Sequence, residues 1–450
     1  MKTVYLIGIG GIGMSALARY YKHAGYEVAG YDRTPSLLTA ELESEGIAIH
    51  YSDDIDQIPV TYTENKDTLV IYTPAVPIDM GEFNYFLKAG YKLVKRSAVL
   101  GLIASEKQTM AVAGTHGKTT ISTLLAHIIT QAGGGCTAFL GGISKNYNSN
   151  LLLSDSKWLV AEADEYDRSF LQLYPQVAVI TSADADHLDI YGTADEMRKA
   201  FGEFASQIKP EGVLILKNGV DIPMDNVKAT VYRYAYNTPC DFYAENIELQ
   251  EGGYYRFDIH TPFGIIFGCT LGVPGWVNVE NAVATAAVAL ITGVNDIKLK
   301  EALRSFAGVK RRFDFHVNTP QHVYIDDYAH HPVELKAAIT SIKQMFPGRK
   351  VTGIFQPHLY TRTRDFVADF AESLSLLDSL ILLDIYPARE LPIEGVTSRI
   401  IFDKVTIADK QLCTKEELLD VLKKPTIDIL VTLGAGDIDR LVEPITNLIA

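Results

Sequence analysis

Residues 113–120 read Ala-Gly-Thr-His-Gly-Lys-Thr-Thr. The apolar run Thr109–Ala113 precedes them, and Ile121, Leu124, Leu125 and Ile128 follow at helical spacing. A strand, a glycine turn, a Lys-Thr pair and a helix together make a phosphate cradle. Backbone N–H groups at a helix start point at phosphate oxygens, and the helix dipole favours their charge. Lys118 is placed to reach the terminal phosphates of ATP and Thr119 to hold Mg²⁺, with Gly114, Thr115, His116, Gly117 and Thr120 completing the loop. The general phosphate loop carries glycine five residues before Gly117. That position is Val112 here, so the loop is a variant.

A second glycine run, Gly8-Ile-Gly10-Gly11-Ile-Gly13, follows the apolar stretch Val4–Ile7, and Asp32 stands about 20 residues further on. This is a dinucleotide-type fingerprint, but close backbone approach and a helix start suit any pyrophosphate. With a separate ATP loop in the same chain, a UDP-type nucleotide is favoured here over NAD. Glu162 and Asp164-Glu165 stand just past the run Trp158–Ala161, and Asp186-His187 past Val177–Thr181. In open parallel sheets the carboxyl ends of strands face the ligand crevice, which puts both groups on the phosphate-loop side. Magnesium takes oxygen ligands, so Glu162 is the strong metal candidate; His187 is open between metal ligand and hydrogen-bonding residue. Arg311-Arg312 reads either as solvated surface or as an arginine supplied across a domain cleft to a transferring phosphoryl group. Asp326-Asp327-Tyr-Ala-His330-His331 and Gln356-Pro-His358-Leu-Tyr-Thr-Arg362-Thr-Arg364 each follow an apolar run and are dense in ionisable groups. Arg362 and Arg364 suit two-point binding of a carboxylate or phosphate.

Strands must carry these loops. Apolar strand-like runs alternate with helical patterns through all 450 residues, which predicts parallel α/β domains, about three at ~150 residues each. Residues 1–105 hold strands Val4–Ile7, Glu27–Gly30 and Thr68–Tyr72. Residues 106–309 hold the phosphate loop, strands Trp158–Ala161 and Val177–Thr181, a more antiparallel Tyr-rich section around 227–271 and an Ala-rich helix Asn281–Leu290. Residues 310–450 hold strands near Val323–Ile325, Val351–Phe355, Leu380–Leu383 and Ile427–Leu433. With 47% hydrophobic and 21% charged residues the chain reads as an ordinary soluble protein. Its net charge of −14 argues against a nucleic-acid or anionic-membrane surface. Cys136, Cys240, Cys269 and Cys413 have no metal or CxxC spacing, as in a reducing cytoplasm. The N-terminus lacks a signal-peptide core, and no run of ~18 apolar residues predicts a membrane span.

Together these runs resemble the Mur ligase family, the ATP-dependent amino-acid ligases of peptidoglycan synthesis. The likeness spreads over nearly the whole chain: GIGGIGMSALA at 8–18, AGTHGKTT at 113–120, AEADEYDRSF at 161–170, DADHLDIYG at 184–192, GVKRRFD at 308–314, DDYAHHP at 326–332, FQPHLYTRTRDF at 355–366 and GAGDI at 434–438. It implies an N-terminal Rossmann-like UDP-sugar domain, a central P-loop ATPase with a mixed sheet and a C-terminal Rossmann-like amino-acid domain. It also implies ligation of L-alanine to the lactyl carboxylate of UDP-N-acetylmuramate, with ATP and Mg²⁺, through an acyl phosphate and a tetrahedral intermediate. The nearest alternative within the family attaches a whole tripeptide to the same nucleotide sugar.

Carried over residue by residue, the resemblance puts Lys118 on the β,γ-phosphates and Thr119, Glu162 and His187 at the metal. Asn281 falls on the adenine, Arg312 on phosphate and Asp327 on the ribose. Gly8, Gly10, Gly11, Gly13, Met14, Ser15, Asp32, Thr73, Arg96 and His330 join the substrate set, and His358 and Arg362 match contacts to the amino-acid and muramate carboxylates; with Lys118, Glu162, His187 and Arg312 these two make up the implied catalytic set, and His358 is a candidate base for the amine. There are departures. Val277-Asn278 stands where relatives often read His-Asn, and Leu359 where they often carry Arg. Several relatives use a carbamoylated lysine after the metal histidine; the spacing of Lys199 does not fit, so no carbamoylation is expected. A dehydrogenase would leave the loop at 113–120 idle. A nucleotide-binding regulator would use that loop as a switch without ligation. Monomer and dimer are both compatible with the sequence.

Overall fold

The computed structural model describes residues 2–77, 79–388, 390–423 and 427–450, except the side chains of Leu188 and Asp189 in the run at 184–192. The strands of the described residues form three sheets. The first is wholly parallel, in the order Ala48–His50, Glu27–Tyr31, Thr3–Ile7, Leu69–Tyr72, Lys92–Lys95. Thr3–Ile7 is buried along its whole length, which explains the unbroken apolar stretch Val4–Ile7. Val4 and Leu6 pack with helices Ile12–His23 and Arg96–Ser105, while Tyr5 and Ile7 pack with Gly81–Lys88. Strand order reverses at Thr3–Ile7, so the ends Ile7 and Tyr72 open a crevice where a ligand fits.

The second sheet has ten strands, in the order Gly264–Thr270, Tyr255–Thr261, Phe242–Leu249, Thr230–Ala235, Val213–Lys217, Val177–Ile180, Gln108–Ala113, Trp158–Glu162, Thr137–Ser144, Ser149–Leu152. The strand that feeds the phosphate loop lies parallel between two neighbours, with Ala113 beside Ile180 and Val112 beside Glu162. Three loops therefore leave the sheet side by side. The sheet is mixed, since Thr137–Ser144 pairs antiparallel with Ser149–Leu152. The antiparallel section expected from residue 227 begins differently. Thr230–Ala235 pairs parallel with Val213–Lys217, and parallel with Phe242–Leu249 over only Tyr234↔Phe242 and Ala235↔Tyr243. Alternating apolar residues report a half-buried strand but not its direction.

The third sheet runs Asp314–Asn318, Val323–Asp327, Ile429–Leu433, Val351–Phe355, Ser379–Leu382, Lys410–Leu412 and is parallel except for its first strand. Val323–Asp327, Val351–Phe355 and Ile429–Leu433 are buried throughout, so the polar runs after them start at the sheet's rim. The chain divides into two compact units. One comprises 1–243, 260–264 and 282–303, and the other 244–259, 265–281 and 304–450. Among the described residues no helix is long and apolar enough to cross a membrane.

Candidate active site

The helix Lys118–Gln131 starts on Gly117, which sits in the left-handed region at φ 81°. Glycine offers no side chain to cap the first N–H groups, so they remain for an anion. Gly114 has φ +127°, and a Cβ there would lie 2.0 Å from Thr181 Oγ1 and 2.9 Å from two backbone nitrogens, so only glycine fits. The loop is pinned from the next strand end. Ser182 Oγ lies 2.7 Å from Thr115 Oγ1 and accepts from His116 N at 3.0 Å. Lys118 does not wave in solvent. Its Nζ donates to Gly114 O at 2.7 Å and to Glu165 Oε1 at 2.9 Å.

Glu162 ends its strand beside Val112. Gly141 leaves room for its carboxylate, because a Cβ on Gly141 would stand 2.1 Å from Glu162 Oε2. His187, at φ 51°, brings Nε2 to 3.9 Å from Glu165 Oε1 and 3.7 Å from Asp186 Oδ2. Lys118, Glu162 and His187 thus gather around one loop, with Thr119 and Thr120 in the first helical turn. Burial opposes the charge on Lys118, but the carboxylates of Glu165, Glu162 and Asp164 outweigh it and hold the ammonium above the ordinary lysine range. Burial pushes Glu165 up, against the pull of Lys118. The oxygen donors Glu162 and Thr119 and the space kept by Gly141 suit a hard cation such as Mg²⁺. Among the described residues no three acidic, His or Cys side chains form a cage, so such a cation would draw its other ligands from nucleotide and water.

In the first sheet the glycine run wraps the strand end. Gly8 N donates to Tyr31 O at 2.8 Å, and Gly10 N to Asp32 Oδ2 at 2.7 Å. Asp32 also accepts from Thr34 N at 3.1 Å, so it fastens the loop itself. Thr73 packs on Gly8, and Arg96 on Gly13. Arg96 also pairs with Asp164 at 3.3 Å. Met14 and Ser15, placed in the substrate set by resemblance, have buried side chains. Ser15 Oγ donates to Ile12 O at 2.9 Å and meets Asn150 Nδ2 at 2.9 Å, so these two face the interior rather than the mouth of the loop.

The second unit holds the other residues. Asp327 is buried and accepts from Phe313 N and Ala329 N, both at 2.7 Å. Burial pushes it up to about 6, opposed by Arg312, whose guanidinium lies 4.9 Å from the Tyr328 ring centre. Arg311 is structural: it bonds Asp326 at 3.2 Å and Gly434 O at 2.8 Å. The ring centroids of His330 and His358 are 5.9 Å apart, and Tyr386 stacks on His358 at 5.8 Å. Arg362 Nη1 donates to His358 Nδ1 at 3.3 Å. A guanidinium only donates, so Nδ1 accepts and the neutral ring carries its proton on Nε2. Asn281, in the helix Trp276–Ile291, donates to Asn278 Oδ1 at 3.3 Å.

Four neighbours of these residues were not singled out from the sequence as functional: Glu165, Ser182, Asn150 and Tyr386. Glu165 stands in an acidic run already suspect, and Ser182 two residues past a strand. Asn150 and Tyr386 carry no local signal, because only the strand order brings them in.

Two nucleotide-type loops, one with a charge-held lysine beside a carboxylate, each leaving a strand with parallel neighbours, define an ATP-using enzyme. The chain matches the description "Mur ligase family, catalytic domain" over residues 3–108, "Mur ligase middle domain" over 112–289 and "Mur ligase, glutamate ligase domain" over 311–436. It belongs to the Mur ligase family. Among curated proteins it is 56% identical to the UDP-N-acetylmuramate–L-alanine ligase of Parabacteroides distasonis, covering 99% of this chain and 97% of that one. It is 52% identical to the ligase of the same name from Porphyromonas gingivalis, covering 99% and 98%. Among solved structures it resembles the UDP-N-acetylmuramate–alanine ligase of Thermotoga maritima, with TM-score 0.84 and 27% identity over 99% of this chain and 100% of that one. It shares the fold of a murein peptide ligase from Psychrobacter arcticus, with TM-score 0.75 and 21% identity over 100% and 98%.

Proposed function

We propose that this chain joins L-alanine to the lactyl carboxylate of UDP-N-acetylmuramate, cleaving ATP to ADP and phosphate, as a step of peptidoglycan precursor synthesis in the cytoplasm. The observation that carries the reading is the Lys118 ammonium, fixed by Gly114 O and Glu165 at the start of a helix with Glu162 on the adjoining strand end. Near-full-length identity of about half or more to alanine ligases supports the choice of acceptor. On this reading residues 1–105 bind the UDP-sugar, 106–309 bind ATP and 310–450 bind the amino acid.

A carboxylate does not acylate an amine in water without activation. Bringing it to a triphosphate opposes like charges, so fixed positive charge must meet them. Lys118 supplies it at the β,γ-phosphates and Arg312 adds to it. Mg²⁺, held by Thr119, Glu162 and His187, would supply further charge there. The carboxylate oxygen attacks the γ-phosphorus and ADP leaves. The amine of L-alanine then attacks the acyl carbon, and phosphate leaves from the tetrahedral intermediate. Asn281 and Asp327 would orient the adenine and ribose. The glycine run at 8–13 takes the diphosphate of the sugar nucleotide, with Asp32 holding the loop and Thr73 and Arg96 at its side. His358, with a proton on Nε2, and Arg362 bind carboxylate oxygens beside His330, which aligns the reactants.

Oxygen labelling tests the route. With ¹⁸O in the lactyl carboxylate, the released phosphate should carry one labelled oxygen. Unlabelled phosphate would exclude the acyl phosphate.

A further inference from the structure

Glu165 belongs to neither the phosphate loop nor the metal set, yet it is 1% exposed and faces Lys118 with both oxygens, Oε1 at 2.9 Å and Oε2 at 2.8 Å. Its backbone is held on several sides. Tyr191 Oη donates to Glu165 O at 2.6 Å, and Arg168 N to the same carbonyl at 3.0 Å. Tyr166 N donates to Asp164 Oδ1 at 3.1 Å. The turn then passes through Asp167 and Arg168 at φ 53° and 54°, a region that side-chain-bearing residues seldom adopt. So fixed a carboxylate can set the direction of a flexible partner.

An ammonium has three N–H donors. Gly114 O takes one of those on Lys118 and Glu165 a second, which leaves the third for a phosphate oxygen. We propose that Glu165 is a positioning residue for Lys118: it accepts a hydrogen bond from Nζ and so aims the remaining donor into the phosphate loop before ATP arrives. The inference rests on the ligase reading for its substrates. What Glu165 contributes is an acceptor at a fixed point, and a glutamine carbonyl oxygen at the same reach can replace it.

The test is steady-state ligation with ATP, Mg²⁺, UDP-N-acetylmuramate and L-alanine, using wild type, Glu165→Ala and Glu165→Gln, with thermal unfolding as a check on folding. Glu165→Ala should lower kcat at least about tenfold, as misplacement of a catalytic group by an ångström can cost ~10²-fold, while KM for L-alanine stays within about twofold. Glu165→Gln should keep kcat within about fivefold of wild type, because the acceptor is restored. A smaller loss in Glu165→Ala, a change confined to KM, or a glutamine variant slower than that limit would overturn the proposal. Should Glu165→Ala fail to fold, the glutamine variant alone decides by the same limit. Wild type run alongside keeps the two claims apart. An inactive wild type counts against the ligase reading, whereas an active wild type with an equally active alanine variant counts against Glu165 alone.

Discussion

A lysine that must meet a triphosphate has to stay charged and stay put. Lys118 does both, since the carboxylates around it outweigh the cost of burial and Gly114 O fixes its reach. Removing one such electrostatic donor commonly costs ~10²–10³ in rate. Lys118→Ala should therefore lower ADP release by about that factor, measured with a coupled assay at saturating substrates; near-normal turnover would remove it from the chemistry. On the proposed reading His358 binds the amino-acid carboxylate. Its Nδ1 accepts from Arg362, which holds the ring beside the guanidinium. His358→Ala should raise KM for L-alanine and largely keep kcat once alanine saturates. A lost kcat with unchanged KM would reverse that assignment.

Elements place these residues, and most of them were legible. Runs buried on both faces, such as Val4–Ile7 and Val177–Ile180, stand out as unbroken apolar segments, and the polar loops after them follow from that. The phosphate loop was readable because glycine, lysine and threonine fall at fixed offsets from a strand and a helix. The hairpin Thr137–Ser144 with Ser149–Leu152 was not, since glycines interrupt it. Yet it carries Gly141, whose missing side chain makes room for Glu162. Strand direction at Thr230–Ala235 was misjudged because alternation is the same in either sense. The Gly141 contact gives a test at this scale. Gly141→Ala would press a methyl into the space of the Glu162 carboxylate. The Mg²⁺ concentration for half-maximal ADP release should rise several-fold with the fold retained, and an unchanged Mg²⁺ requirement would dissociate Glu162 from the cation.

At the scale of the molecule, the first sheet's helix is tied to the strand Ser149–Leu152 within one compact unit. Buried Asn150 donates to Ile12 O at 2.6 Å and to Ser15 Oγ at 2.9 Å, and accepts from Arg19 Nη1 at 2.6 Å. Sequence patterns carry no trace of a tie across 138 residues. Asn150→Ala would remove these three hydrogen bonds, at about 0.5–1.5 kcal/mol each, and should lower the unfolding midpoint in urea. Because Ile12 starts the helix behind the glycine run, KM for the sugar nucleotide should rise more than KM for ATP. Equal changes in both would separate Asn150 from the glycine-run site.

The proposed activity is ligation of L-alanine. The most direct measurement is phosphate release from ATP with UDP-N-acetylmuramate and Mg²⁺, comparing no acceptor, L-alanine and the tripeptide L-Ala-D-Glu-meso-diaminopimelate, with product mass read in parallel. Release with L-alanine and a product heavier by one alanyl residue is the expected result. Release with the tripeptide alone would make the chain a recycling ligase, and release with neither would contradict ligation altogether.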